Sequence, residues 1–154
     1  MANPDENAAG HDLLVVGYGN ELRCDDGVGP KVAAALQEMK LPGVRTITCH
    51  QLTPELAEPV SQARRVVFVD AAVDAAVGIQ WRELEPAATG RIMAHAADPR
   101  TLLALARDVF GRCPTAFWLT IPIERLEFGD KLSPLARRGM DLALGRIRGL
   151  WTAR

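Results

Sequence analysis

Arg65-Val66-Val67-Phe68-Val69-Asp70 is the most apolar strand-like run in the chain, and it meets a carboxylate before Ala71-Ala72. Its β-branched and aromatic residues leave no polar face for water. Such a run reads as a strand covered on both sides, the central strand of a parallel sheet.

Outward from this run, strands and helices alternate. Leu13-Leu14-Val15-Val16 is a short apolar strand cut off by Gly17, followed by a glycine- and acid-rich loop over 17–29. Pro30-Lys31-Val32-Ala33-Ala34-Ala35-Leu36 then begins a helix that ends before Pro42-Gly43. Residues 44–49 suit a second strand, and Thr53 followed by Pro54 caps a helix over about 54–63. Residues 78–84 suit a further strand at a sheet edge, with connecting loop over 86–94. Asp98-Pro99 starts a helix over 101–110, with Leu102, Leu103, Leu105, Ala106 and Val109 as its apolar face and Gly111 as its stop. Cys113 and Pro114 open a strand over 115–121, residues 124–131 form a loop, and Ser133 caps a last helix over 134–150.

This alternation implies parallel pairing, right-handed crossovers and helices on both faces. The fold class is α/β, a three-layer αβα sandwich around a mostly parallel twisted sheet. Residues 1–10 are small and polar and are expected to form a disordered tail, leaving 11–154 as a single α/β domain of ordinary size.

A formal net charge of -1 gives no field to attract phosphate backbones, so nucleic acid is not an expected partner. No apolar run reaches the roughly 20 residues that span a bilayer, and the polar start lacks the basic and apolar regions of a signal peptide. A cytoplasmic location is expected, without membrane insertion. Cys24, Cys49 and Cys113 are odd in number, widely spaced and free of any Cys-x-x-Cys, so they read as free thiols.

Open parallel sheets place their ligand sites beyond the carboxyl ends of the strands. If the strands ending at Val16 and Val69 are neighbours, Asp25 or Asp26 comes close to Asp70. Gly17-Tyr18-Gly19 looks like the start of a dinucleotide fingerprint, but the third glycine should fall where Leu22 stands. No Gly-Lys-Ser/Thr follows, and two acids beside a helix start repel a phosphate. The loop suits a metal or a cationic group better, because divalent cations take carboxylate oxygen and imidazole nitrogen, and nickel accepts both. His50 and His95 can both reach the carboxyl edge, so either can join Asp26 and Asp70; His11 precedes the first strand at the wrong end.

Each of these residues also has an ordinary structural reading. Paired acids before a helix are commonly a cap and a solvated charge, and a strand-end aspartate often bonds a neighbouring loop. Asn20, Glu21 and Arg23 stand on the same footing. No Gly-x-Ser-x-Gly elbow or His-Glu-x-x-His helix supports a serine hydrolase or a zincin, and no histidine is plainly placed to activate a cysteine.

Gly17-Tyr18-Gly19-Asn20-Glu21-Leu22-Arg23-Cys24-Asp25-Asp26-Gly27-Val28-Gly29 resembles the Gly-x-Gly-Asn-x-Leu-x-x-Asp-Asp/Glu-Gly-x-Gly signature of the nickel–iron hydrogenase maturation endopeptidases. The likeness continues through Val67-Phe68-Val69-Asp70-Ala71, through His95 ahead of Leu102-Leu103-Ala104-Leu105-Ala106, and through Phe128-Gly129-Asp130-Lys131-Leu132-Ser133-Pro134. It runs in order over nearly the whole chain.

The resemblance implies an endopeptidase that removes the C-terminal extension of a hydrogenase large-subunit precursor after nickel insertion. Nickel held by the substrate is the recognition feature, and no organic cofactor is expected. It places the family's loop acid on Asp26, its strand-end aspartate on Asp70 and its metal-contacting histidine on His95. Asp26 and Asp70 become the expected catalytic carboxylates, and Asp25 the structural one. Where many members carry an Asp-Gly-Gly-Thr-like segment, this chain has Cys49-His50-Gln51-Leu52-Thr53, which makes His50 a further metal-facing candidate. The alternative is a non-proteolytic maturation factor that binds nickel or the precursor.

Overall fold

The structure, a computed structural model, describes residues 11–73, 78–88 and 98–153. Its strands are β1 (His11–Tyr18), β2 (Val44–Cys49), β3 (Ala63–Ala72), β4 (Gln80–Leu84) and β5 (Thr115–Pro122). They form one sheet in the order β2-β1-β3-β5-β4. Neighbours pair in parallel except at β4, an antiparallel edge strand, so the sheet is mixed but mostly parallel, and β3 lies at its centre.

Among the described residues four α-helices flank the sheet: α1 (Val28–Met39), α2 (Ala57–Gln62), α3 (Pro99–Phe110) and α4 (Pro134–Thr152). Leu13, Val15, Val67 and Val69 turn to one face and pack with Val28, Val32 and Leu36 of α1 and Ile147 of α4. Leu14, Val16, Val66 and Phe68 turn to the other and pack with Val60 of α2 and Leu102, Leu103 and Ala106 of α3. Both faces are covered, which is why the central runs are apolar without alternation. Among the described residues no helix is long and apolar enough to cross a membrane.

Several boundaries differ from those read in the sequence. β1 begins at His11 and passes through Gly17, and β3 continues past Asp70. Parallel neighbours hold these residues extended: Gly17 pairs with Thr48 and Val69, while Ala71 and Ala72 pair with Ile121 and Pro122. His11 is therefore a half-buried strand residue, with its pKa lowered by burial and then by Arg45, though it does lie at the amino edge. The loop after β1 is also shorter than expected, because a 3-10 turn (Cys24–Gly27) leads directly into α1 at Val28.

The segment from Pro54 opens as a 3-10 turn (Pro54–Leu56) before α2, and Thr53 makes no side-chain capping bond. Val109 is 64% exposed, since the buried stripe of α3 runs through Leu102, Leu103 and Ala106 instead. Asp98 and Ser133 do cap their helices, accepting from the Arg100 and Ala136 amides, and Gly111 ends α3 in the left-handed conformation. The expected N-terminal tail and most of the 86–94 loop lie outside the described residues.

Two crossovers determine where a ligand can enter. The β1–β2 crossover carries α1 on one face and the β2–β3 crossover carries α2 on the other, so strand order reverses between β1 and β3. A crevice opens at the carboxyl ends of strands at such a point. The start of α1 lies directly against it: a Cβ on Gly29 would come 2.5 Å from the Val69 carbonyl oxygen and 2.6 Å from that of Tyr18. Replacing a helical glycine by alanine ordinarily stabilises by up to about 1 kcal/mol, less in the first turn, where Gly29 stands. At Gly29 the collision with two strand carbonyls outweighs that gain, and Gly29→Ala is expected to destabilise the protein by about 1–3 kcal/mol. A lower midpoint of urea unfolding at unchanged slope would show it; an unchanged midpoint would refute it.

Candidate functional site

The segment after β1 folds back on itself at the crevice. Gly19 has φ 144°, and a side chain there would strike the Asp26 carbonyl oxygen. The chain can therefore lie on the 3-10 turn closely enough for the Asn20 amide to donate to Asp26 Oδ2 at 2.8 Å. The Asn20 side chain in turn accepts from the Leu22 amide at 2.9 Å. Asp26 is thus held by one oxygen and remains half-buried.

Its neighbour Asp25 is wholly buried and faces elsewhere. Asp25 Oδ2 accepts from the Glu124 and Arg125 amides at 3.0 and 2.9 Å and from Ser133 Oγ at 2.7 Å, and Oδ1 accepts from the Ser133 amide at 2.7 Å. Burial alone would raise its pKa, but these four bonds outweigh burial and hold the carboxyl below its ordinary value. A 3-10 turn separates successive side chains by about 120°, which is how adjacent acids reach opposite surroundings. The same segment is fastened through its backbone: the Cys24 amide donates to Gly129 at 2.8 Å, the Asp25 amide to Arg125 at 3.0 Å and the Gly129 amide to Leu22 at 2.8 Å.

Asp70 lies on β3 opposite Thr120, on the face toward α2 and α3. Burial raises its pKa to about 6; the Tyr18 hydroxyl and the Ala71 amide pull it down in part, and the Asp26 charge pushes it up. Tyr18, 8% exposed at the end of β1, has its own pKa driven upward by burial and then by the Asp70 charge.

The structure thus brings Asp26 within electrostatic reach of Asp70, as expected for the ends of adjacent strands, and turns Asp25 away to the start of α4. His50 is exposed and lines a cleft of about 280 Å3 with Gly19, Asn20, Glu21 and Cys49, whereas Asp26 and Asp70 are absent from that lining. His50 does not join the two aspartates in a metal-holding set: among the described residues no three His, Cys, Asp or Glu side chains gather in that way. His95 lies outside the described residues. The cysteines are free, with Cys24 buried, Cys49 half-buried and Cys113 exposed.

Sequence reasoning missed Tyr18 and the clamp on Asp25. Strand parity offered a signal for the first, because Tyr18 follows Leu14 and Val16 at period two. The clamp joins residues about a hundred positions apart and had no local signal.

No protein-family model matches the chain, and no curated protein does either. Solved structures do match. The hydrogenase maturating endopeptidase HybD from E. coli aligns over 88% of both chains with a TM-score of 0.69 and 21% identity. The [NiFe] hydrogenase maturation protease HybD from Thermococcus kodakarensis aligns over 90% of this chain and 97% of its own, with a TM-score of 0.68 and 22% identity. The hydrogenase 2 maturation peptidase from Thaumarchaeota archaeon SCGC_AB-539-E09 covers the same shares with a TM-score of 0.66 and 19% identity. The protein has the fold of the [NiFe] hydrogenase maturation proteases.

The two aspartates should respond oppositely to substitution. Asp25→Ala leaves the buried Ser133 amide and hydroxyl, and the part-buried Glu124 and Arg125 amides, without their acceptor and is expected to cost about 3–5 kcal/mol in urea denaturation. Asp70 has a higher pKa folded than unfolded, so folding favours its protonated form. Its burden is absent below about pH 4, where both states are protonated, and is complete once pH exceeds about 6, at about 3 kcal/mol. Asp70→Asn is therefore expected to stabilise the protein at pH 7 by about 1–3 kcal/mol, with the gain vanishing near pH 4. A loss of stability at pH 7 would contradict this account of the buried carboxylate.

Proposed function

We propose that this protein is an endopeptidase that removes the C-terminal extension of a nickel–iron hydrogenase large-subunit precursor once nickel has been inserted. The observation that carries the reading is the approach of Asp26 and Asp70 at the switch point, in a fold shared with hydrogenase maturation proteases. Two carboxylates near one another on a neutral protein favour a cationic or metal-bearing ligand over a phosphate.

In this reading, 11–154 works as a single unit in the cytoplasm. Asp26 and Asp70 are the catalytic carboxylates. Together with His95 they contact the nickel carried by the substrate, and His50 approaches from the neighbouring cleft. Nickel belongs to the precursor, and its seating aligns the scissile peptide. One carboxylate serves as general base toward the attacking water, a role that contributes about 10²–10⁴-fold in rate. Asp70 suits it, since a pKa of about 6 leaves the group ionised near neutrality yet more basic than an ordinary carboxylate.

The test is mass spectrometry of nickel-loaded large-subunit precursor incubated with the protein. The precursor is expected to lose a C-terminal peptide, and Asp26→Asn and Asp70→Asn are each expected to slow the loss by at least about 100-fold. A precursor that is bound with its mass unchanged would make the protein a binding factor. Cleavage undiminished in both variants would remove the site assignment.

A further inference from the structure

Tyr18, Asp70 and Trp118 share the sheet face that looks toward α2 and α3. Alternation along β1 puts Tyr18 on the side of Leu14 and Val16; along β3, Asp70 follows Phe68; along β5, Trp118 pairs with Phe68. Gly17 pairs with Val69, so Tyr18 and Asp70 are the next residues along two adjacent strands.

Trp118 Nε1 is a buried side-chain nitrogen without a hydrogen-bond partner. It faces the Tyr18 hydroxyl without the geometry of a full hydrogen bond, and that hydroxyl faces the Asp70 carboxylate. An indole N–H only donates, a carboxylate only accepts and a phenol does both. These groups can therefore satisfy one another in one direction alone, from Trp118 through Tyr18 to Asp70. A buried donor left unmet is costly, and hydrogen bonds around reacting groups are commonly long before substrate arrives and tighten afterwards.

We propose that Tyr18 is a positioning residue for Asp70 and is itself held by Trp118, so that a donor chain across β5, β1 and β3 fixes the carboxylate that acts on the precursor. The inference rests on the role given to Asp70 under Proposed function. The cluster that Tyr18 joins, with Leu14, Val16 and Phe68, is apolar, and a phenylalanine would serve its packing as well.

Two measurements test it. The first needs no substrate. The chain has three tryptophans, and the Trp118 indole N–H resonance is assigned by its disappearance in Trp118→Phe. Asp70→Asn is expected to shift that resonance in the wild-type background but not in the Tyr18→Phe background. The second is cleavage of nickel-loaded precursor. Tyr18→Phe is expected to lower kcat about tenfold, with KM and melting temperature nearly unchanged. Trp118→Phe should lower kcat less, and the double variant should be no worse than Tyr18→Phe, because Trp118 acts only through Tyr18.

An indole resonance indifferent to Asp70→Asn in both backgrounds overturns the chain, and so does wild-type kcat in Tyr18→Phe. If the wild type fails to cleave while the resonance coupling is present, the proposed function falls and the positioning of Asp70 stands.

Discussion

The Asp25 carboxylate joins three separate parts of the chain: the turn after the first strand, the amides at Glu124 and Arg125, and the cap of the last helix at Ser133. Ser133 Oγ donates to Asp25 while accepting from Ala136, so one hydroxyl ties the carboxylate to the helix start. Four donors around a fully buried anion offset its desolvation, whereas an unpaired carboxylate in that position would neutralise or unfold the region. Because the turn is short, fixing Asp25 also fixes Asp26. The working geometry at the crevice is thus inherited from a structural contact on its far side.

Asp70 shows the opposite balance. It sits near the carboxyl end of the central strand, where burial raises its pKa and few groups compensate. The core around it is built from fully buried Val66, Val67, Phe68 and Val69, each stabilising by about 1.5–3 kcal/mol, and that surplus tolerates one unfavourable carboxylate. A residue that costs stability where an apolar one would fit is better explained by chemistry than by folding.

The layered fold was legible because its signals are local. An apolar run at 65–69, proline at helix starts and Gly111 at a helix end each report the conformation of their own neighbourhood. The edge position of β4 and the central position of β3 followed from composition, whereas the antiparallel direction of β4 did not. Boundaries were less legible where partners decide them: Gly17 remains in a strand because Thr48 and Val69 flank it on both sides, and Ala71 because β5 continues beside it at Ile121. Val109 was misassigned because periodicity alone cannot tell where the buried stripe of α3 stops, which is before its last turn. For the candidate site, strand-end reasoning brought Asp25 or Asp26 toward Asp70 without choosing between them, and only the family resemblance favoured Asp26; the contacts of Asp25 with 124, 125 and 133 lie in no local pattern.

The surroundings of the pair bear on the kind of ligand that suits it. Burial raises the pKa of Asp70, and the Asp26 charge adds to it by repulsion. A cation brought between them relieves that repulsion and the burial cost of Asp70 together, while a phosphate would add to both. Protonation of Asp70 relieves the same repulsion, so protons and a cationic ligand compete for one group. The anchoring of Asp26 by the Asn20 amide and the facing of Asp70 by Tyr18 limit how far the carboxylates can separate to escape each other. Repulsion is therefore retained rather than relaxed, and its relief favours the arrival of positive charge.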